Sequence, residues 1–564
     1  MKHRAWREFS RAVAVSVAVA AFGAAMSTAT SGTAHAQVDP RGDMRTIATA
    51  HLRVHMRADQ ESVGRRAASI AEAAYAQLSR ELAPPSGVID LLLADNVDYS
   101  NGFAQTFPTN RVVVYAVPPV AAPELRFHDD WLRLVITHEL AHIFHLDRAT
   151  GLWRVGRTLL GRNPIFFPNA YTPSWVKEGL AVHYESLLTG SGRVISTEFG
   201  TIARSAARDG EIPDLNRWSL ATTRFPLGQT AYAYGTLLMD RAARVGGDSS
   251  MRRFVEAVGR FPVPFLLDRA SRRSFGQSFS QQFDAMRDSL QRLARALDTT
   301  GDASWRVISN AGWRAHAPRW WSRDSLIWTA SNGRDVTGLY VADIGTDGNR
   351  AVRGARRIAK RIARRNGLDV NAPVHGDAGV IGTVFAQNDY RNPYEVRSDL
   401  YRGFGDREER LTDGARLAQP DVRRDGGVVA LQLGAAGARL VRVQLAEPGV
   451  ASSPVRITPI ASANIWADPR WSPDGSRLVA VEFLPTGEER VVVMDADGMP
   501  QRIVAGSRAV FASPSFTPDG RRLVWSSDRS GRMQLETAPV APASAAIDTS
   551  LWRTERADVR VAST

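Results

Sequence analysis

The feature that most constrains this chain is a repeat in its second half. Ala317-Pro318-Arg319-Trp320-Trp321-Ser322-Arg323-Asp324-Ser325-Leu326-Ile327-Trp328 is echoed by Asp468-Pro469-Arg470-Trp471-Ser472-Pro473-Asp474-Gly475-Ser476-Arg477-Leu478-Val479. It returns in Ser513-Pro514-Ser515-Phe516-Thr517-Pro518-Asp519-Gly520-Arg521-Arg522-Leu523-Val524, with a degenerate copy from Gln419 to Val429. Pro420, Pro469 and Pro514 lie 49 and 45 residues apart; the 102 residues from Pro318 to Pro420 span two periods, with 371–390 filling the missing copy. A period of this length, with an Asp-Gly turn between short strands, points to the blades of a β-propeller. One four-stranded blade cannot bury both faces, so its neighbours must stack on it. A β-sandwich is the competing arrangement, but it does not call for copies this alike. Five repeats are clear, and a sixth would come from 538–564 or from strands near residue 305, giving five or six blades.

The repeats resemble the TolB-like, WD40-like propellers of bacterial envelope proteins. That resemblance implies six blades and an envelope protein partner held on the propeller.

The first 36 residues have the layout of an export signal: Lys2, Arg4 and Arg7, an apolar run from Ala12 to Ala25, and small residues at Ala34 and Ala36 before Gln37. The run is short for a membrane span, and no other stretch reaches the ~20 apolar residues a span needs. The expectation is a processed periplasmic or secreted chain without a transmembrane segment; the alternative is an uncleaved N-terminal anchor. With no cysteine, disulfides and thiolate metal ligands are excluded. The net charge of +13 is carried almost wholly by arginine, the only lysines being Lys2, Lys177 and Lys360. The densest basic run, Arg350 to Arg365, has no interleaved aromatic platform and no nucleic-acid motif, and reads as a solvated loop or outer strand. No nucleic-acid partner is expected.

Before the repeats, the pattern is mixed. Residues 57–82 read as a helix with an apolar stripe at Ala67, Ile70, Ala74 and Leu78. Strands are expected at 88–93 and 111–117, and helices at 131–146, from Pro173 to a stop at Gly190, at 230–245 and at 280–297. Asp129 is the expected cap of the 131–146 helix, and Thr172 with Pro173 that of the next.

Inside the apolar helix Trp131–Leu146 sits His138-Glu139-Leu140-Ala141-His142. Positions four apart share a helix face, so His138 and His142 can grip one ion with Glu139 beside it. Thirty-six residues on, Trp175-Val176-Lys177-Glu178-Gly179-Leu180-Ala181 offers Glu178, a carboxylate in an apolar helix that needs a cation partner. Two imidazoles, one carboxylate ligand and a separate carboxylate base suit one Zn2+ per chain, with a fourth position left for water. The alternatives are a chance match on a surface helix and, for Glu178, a salt bridge to an arginine.

These motifs resemble the gluzincin clan of zinc metallopeptidases, with its peptidase MA-like domain, over roughly residues 88–297. The resemblance implies His138, His142 and Glu178 as metal ligands and Glu139 as general base. Tyr232-Ala233-Tyr234-Gly235 matches the clan's Tyr-x-x-Gly, which implies Tyr232 as oxyanion donor, with Tyr234 as rival and a pair of core aromatics as the plain alternative. No Gly-x-Met-Glu-Asn stretch precedes the metal helix, so the substrate amino-terminus site of M1 aminopeptidases has no counterpart. Residues 102–118, with the strand 111–117, are instead a candidate edge for an extended substrate. Glu185, and more weakly Asp147, are candidates to orient a ligand histidine, while His145 and His183 read as neighbouring or packing residues.

The expected architecture is therefore multidomain: a signal segment 1–36, an α+β zincin-like metallopeptidase domain 37–297 with its core at 88–297, and an all-β propeller 298–564. The expected activity is endopeptidase or oligopeptidase hydrolysis of peptides or proteins, with the propeller recruiting or gating them. The alternative is a non-catalytic envelope scaffold whose peptidase unit is structural. The polar link 298–302 is too short for loosely tethered domains, which predicts a packed interface, buried in part by Trp305, Trp313, Trp320 or Trp321.

Overall fold

The computed structural model describes residues 42–120, 125–126, 128–220, 225–261 and 266–296. In the second half it describes 314–320, 325–331, 338–343, 356–359, 372–376, 379–389, 391–392, 394–404, 407–435, 437–445, 455–540 and 560–561. The segment 1–36 read as an export signal, the link at 298–302, Trp305, Trp313, Trp321 and most of the basic run at 350–365 lie outside these residues.

The first region is α+β. Strands β1 (Met44–Ala48) and β2 (Leu52–Arg57) form a hairpin, followed by helix α1 (Glu61–Glu81) and strands β3 (Ile89–Ala94), β4 (Gly102–Gln105) and β5 (Arg111–Tyr115). The sheet order is β1-β2-β3-β5-β4, with β2, β3 and β5 parallel and β4 antiparallel to β5. The edge on the β5 side is thus β4, one strand outside the 111–117 segment read as the edge. Alternation decides which face is covered: Leu52, Val54, Met56, Ile89, Leu91, Val112 and Val114 point into one core with Ala67, Ala71, Ala74 and Leu78 of α1.

The helices that follow are α2 (Trp131–Leu146), α3 (Gly151–Leu160), α4 (Ser174–Thr189), α5 (Thr197–Arg208), α6 (Thr230–Gly246), α7 (Ser250–Arg260), α8 (Leu267–Phe275) and α9 (Phe279–Ala296). Helix α2 is buried almost all round and lies between the sheet, α1 and α4. Its cap is Asp130, which accepts from Arg133 N; Asp129, the expected cap, instead takes the Arg133 side chain. Thr172 likewise does not cap α4: its hydroxyl is spent on the Asn169 carbonyl, and the chain enters the helix through Pro173. Gly190 ends α4 in the left-handed region as read from the sequence.

Helices α4 and α6 touch backbone to backbone. A Cβ on Gly179 would stand 2.4 Å from the Gly235 carbonyl oxygen, and one on Gly235 would stand 2.3 Å from that of Trp175. Neither backbone can yield, so both positions exclude a side chain. This contact sets the spacing between the helices that carry Glu178 and Tyr232.

The second region is a series of four-stranded antiparallel sheets, five among the described residues, each built from four strands consecutive in sequence. They are β6–β9 (from Arg314–Trp320 to Arg356–Ala359), β10–β13 (Ala372–Gly376 to Arg407–Arg410), β14–β17 (Leu417–Val422 to Arg456–Pro459), β18–β21 (Ile465–Trp471 to Pro500–Ser507) and β22–β25 (Phe511–Phe516 to Arg560–Val561). Each sheet packs on the next. The repeat in the sequence is a repeat in the backbone. Ala317, Gln419, Asp468 and Ser513, each just before the repeated proline, have φ between 48° and 54°, and the first strand of each of these sheets bulges there. The tail supplies β25, the outer strand of the fifth sheet, rather than opening a sixth. Arg356–Ala359 of the basic run forms an outer strand, β9.

The two regions are packed together, and of the tryptophans expected to bury the link only Trp320 is among the described residues. Trp320 is 51% exposed. The contact is made by the loops leaving β3 and β5. Val97 pairs with Val396, and Arg416 reaches both oxygens of Asp95 at 2.7 and 2.9 Å and Asp98 at 2.7 Å. Val117 and Val120 enter the core of the third to fifth sheets. Beside them Arg126, 3% exposed, donates to Asp468 at 2.9 Å and to the Phe511 carbonyl at 2.9 Å.

Two outcomes follow for stability. Gly235→Ala should lower unfolding free energy in urea by about 1–3 kcal/mol, the usual cost of overpacking. Arg126→Ala should cost about 3–5 kcal/mol, because it leaves the Asp468 carboxylate buried and unpaired, and should make the chain cleavable between its halves in limited proteolysis.

Candidate metal centre

Helix α2 brings His138 and His142 to one face, and the α4–α6 contact brings Glu178 opposite them. The two Nε2 atoms are 3.2 Å apart, and Glu178 Oε2 stands 3.6 Å from His138 Nε2 and 3.4 Å from His142 Nε2. These three are the group among the described residues whose donor atoms could hold one ion. A tetrahedral ion with ligands at about 2.0–2.1 Å has donor atoms roughly 3.3–3.4 Å apart, so the triangle has the size of one face of such a site.

Protonation makes the same point. His138 Nδ1 lies 2.7 Å from Glu185 Oε2 and donates to it, which turns the Nε2 lone pair toward the centre. Glu185 is fully buried and is itself gripped by Arg193: Nε to Oε1 at 2.9 Å, NH2 to Oε2 at 2.6 Å, and the backbone N to Oε1 at 3.1 Å. Burial opposes ionisation of Glu185, but Arg193 outweighs it and holds the carboxyl at about 2. Two imidazole nitrogens and a carboxylate facing one another need a cation among them. Glu139 Oε2, Glu178 Oε2 and His142 Nδ1 are also buried without a hydrogen-bond partner among the described residues. The residues therefore fit a metal ion.

Burial pushes the Glu139 carboxyl up, with the two histidines pulling the other way. Its second oxygen faces the cleft. Above it passes β4, where a Cβ on Gly102 would meet Glu139 Oε1 at 2.7 Å and Val135 Cγ2 at 2.8 Å. Glycine there lets the edge strand lie directly over the carboxylate. The cleft, about 310 Å³, is lined by Gly102, Phe103 and Ala104 of β4, by His138, Glu139, His142, Lys177, Glu178, Arg193 and Tyr232, and by Leu125.

The two tyrosines separate cleanly. Tyr234 is 1% exposed and stacks on Trp218 at 5.3 Å, so it is core. Tyr232 lines the cleft with its ring under the Arg193 guanidinium at 5.3 Å, its hydroxyl pushed well up by burial and by Glu178. Asp147 does not orient a histidine. It accepts from Ser86, Arg157 and Arg162 and ties the loop after α2. His145 is wholly buried and pushed down to about 3 by that burial, while His183 pairs with Asp240 at 3.4 Å on the α4–α6 side. Arg193, which holds Glu185 and reaches within 3.0 Å of His138 Nδ1, was not singled out from the sequence. The signal available was Glu185, a second carboxylate in an apolar helix without a cation nearby in sequence.

No family model matches the chain. Among curated proteins, a stretch of 80 residues is 31% identical to a protein named as a TolB homolog of Chlorobium luteolum, covering 14% of this chain. The chain spans under a fifth, 18%, of that relative's length. Among solved structures, TolB of Acinetobacter baumannii is 16% identical with a TM-score of 0.29, covering 40% of this chain and 52% of its own. A structure described as a putative TolB from Agrobacterium tumefaciens is 14% identical with a TM-score of 0.32, covering 42% and 80%. The β-propeller domain of the Trilobed protease from Pyrococcus furiosus is 12% identical with a TM-score of 0.28, covering 42% and 71%. Likenesses this slight carry no argument about activity. No helix among the described residues is long and apolar enough to cross a membrane.

Metal binding should show a proton linkage. Burial alone would push the His138 imidazolium down, but the facing Glu178 carboxylate and the hydrogen bond to Glu185 outweigh it and hold the metal-free ring at about 9. A metal must displace that proton. Apparent affinity should therefore fall about tenfold for each unit of pH lowered below 9, read by zinc titration of the metal-free chain. Glu185→Ala should weaken metal binding about 10–100-fold, as loss of such an orienting carboxylate does elsewhere.

Proposed function

We propose that the chain is an exported, zinc-dependent peptidase of the gluzincin type that cleaves peptides or proteins in extended conformation, with one Zn2+ on His138, His142 and Glu178. The single observation that carries this reading is the three-donor triangle with a fourth, separate carboxylate, Glu139, beside it and unpartnered. A structural metal would leave no role for that fourth group. A bound Zn2+ supplies Lewis acidity and makes water acidic near neutral pH. The chain's own residues supply the rest. Glu139, its carboxyl pushed up by burial, is poised to take a proton from water and return it to the leaving amine. Tyr232, kept protonated, is placed to donate a hydrogen bond where negative charge grows on the substrate oxygen. The free edge of β4 offers backbone groups to an extended chain, which favours endopeptidase or oligopeptidase action. Residues 37–297 form the catalytic unit in this reading, and 298–564 form a propeller of TolB-like blades that recruits or gates substrates in the periplasm or outside the cell.

A second reading starts from the repeated sheets and from the 80-residue stretch that is 31% identical to a protein named as a TolB homolog. In it the chain is a non-catalytic envelope scaffold, the sheets holding a protein partner and the His-His-Glu cluster a structural metal site. The intact base and cleft speak for the first reading. Replacing Glu139 by Gln separates them. The variant should keep about one zinc per chain and lose cleavage of an unstructured protein substrate by a factor of about 10² or more. Equal behaviour of variant and parent, with metal bound in both, would support the scaffold.

A further inference from the structure

Helix α3 is exposed on its apolar side. Leu152, Val155 and Leu159 recur at helical spacing with Leu160 beside them, and they are 70%, 54%, 76% and 74% exposed. Ile165, just beyond, is 41% exposed and extends the patch. No residue of α3 is buried. The helix is nevertheless firmly anchored on its other side. Trp153 Nε1 donates to the Phe261 carbonyl at 2.6 Å, and Arg157 donates to the Asp147 carbonyl at 2.8 Å while stacking on Phe167 at 4.2 Å. A helix held this way turns an aliphatic stripe outward that no described residue covers, and a patch of this kind marks an interaction surface.

The surroundings indicate what covers it. Arg154 is exposed on the helix, and Arg260 lies against its first residue, Gly151. Arg269 and Arg273 stack on Phe261, the residue that receives Trp153, at 5.4 and 5.3 Å. All four are exposed, and none has an ion-pair partner among the described residues. A convex aliphatic stripe flanked by unpaired arginines matches the depth and charge of an anionic lipid surface, where the apolar face sinks to the acyl boundary and the arginines meet phosphate. The exposed apolar residues here are all aliphatic, without the Trp and Tyr anchors that are enriched at protein hot spots.

We infer that α3 is a membrane-surface anchor, seating the chain on anionic phospholipid without spanning it. The helix also ends beside the loop between β4 and β5. Arg162, immediately after it, donates to the Pro108 carbonyl at 3.1 Å, in the loop between β4 and β5. Docking through α3 therefore holds the open end of the β4 edge near the lipid surface, whatever chemistry the cleft performs.

The test is flotation of the processed chain with vesicles of phosphatidylglycerol and phosphatidylcholine, against phosphatidylcholine alone. Binding should require the anionic lipid and weaken with salt. Leu152→Ser with Leu159→Ser should reduce it at least tenfold while leaving the unfolding transition in place. Since both substitutions leave the net charge untouched, adsorption through charge alone would survive them, and that result would overturn the inference. So would absence of vesicle binding together with a concentration-dependent dimer lost in the same variant, which would make a second copy the cover. As a check free of any variant, amide exchange across 151–160 should slow when vesicles are added to the parent chain; unchanged exchange would contradict the proposal.

Discussion

The structure depends on one electrostatic problem: two imidazoles and two carboxylates buried in the middle of the first region. Helix α2 is covered on nearly every side, and His138, Glu139 and His142 are each less than 9% exposed. Unpaired polar groups at such depth are costly. The chain resolves one part internally through the relay Arg193–Glu185–His138, which fixes the ring and its proton. The remaining part, three donors converging on one point, is an arrangement that fits a cation. The close contact of α4 and α6 through Gly179 and Gly235 serves this arrangement, because it delivers Glu178 and Tyr232 to the same cleft.

The second region is joined to this centre through the same stretch of chain that leads into it. After β5, the segment carrying Val117, Val120 and Arg126 enters the innermost strands of the third to fifth sheets. It then returns as Asp130 caps the metal helix. Leu125 of this segment also lines the cleft. The contact between regions and the wall of the cleft are therefore built from neighbouring residues, which gives the sheets a direct mechanical connection to the site. In the reading proposed above, this is the route by which a bound protein could gate the cleft.

Much of this was legible in the residues. The apolar helix with histidines at i and i+4 was found with its ends in place, because burial on all sides leaves a continuous apolar run. The repeat announced the sheets, since a bulge with a left-handed residue before proline leaves a recognisable motif in each copy. What was missed has physical causes. Strand β1 is short and mostly exposed, so it shows no clean alternation, whereas β2 does alternate, Leu52, Val54 and Met56 against Arg53, His55 and Arg57, and that signal went unread. The edge strand was misplaced by one because β4 is only four residues long and has no apolar face of its own. Arg193 was invisible because its role depends on a carboxylate eight residues away across a helix end, a relation no periodicity encodes. Tyr232 and Tyr234 could be told apart only by which side of α6 meets Trp218. The interface was foreseen as packed; of the tryptophans named for it Trp320 is exposed and the others lie outside the described residues, while the described contacts come from loops that carry isolated charges rather than a pattern.

The central claim is that His138, His142 and Glu178 hold one metal ion. X-ray absorption at the zinc edge of the purified chain tests it most directly. The account predicts one zinc per chain in a shell of two imidazole nitrogens and oxygen donors at about 2.0–2.1 Å, lost in His142→Ala. A chain that carries no metal after zinc reconstitution, or a zinc whose shell is unchanged in that variant, would contradict it.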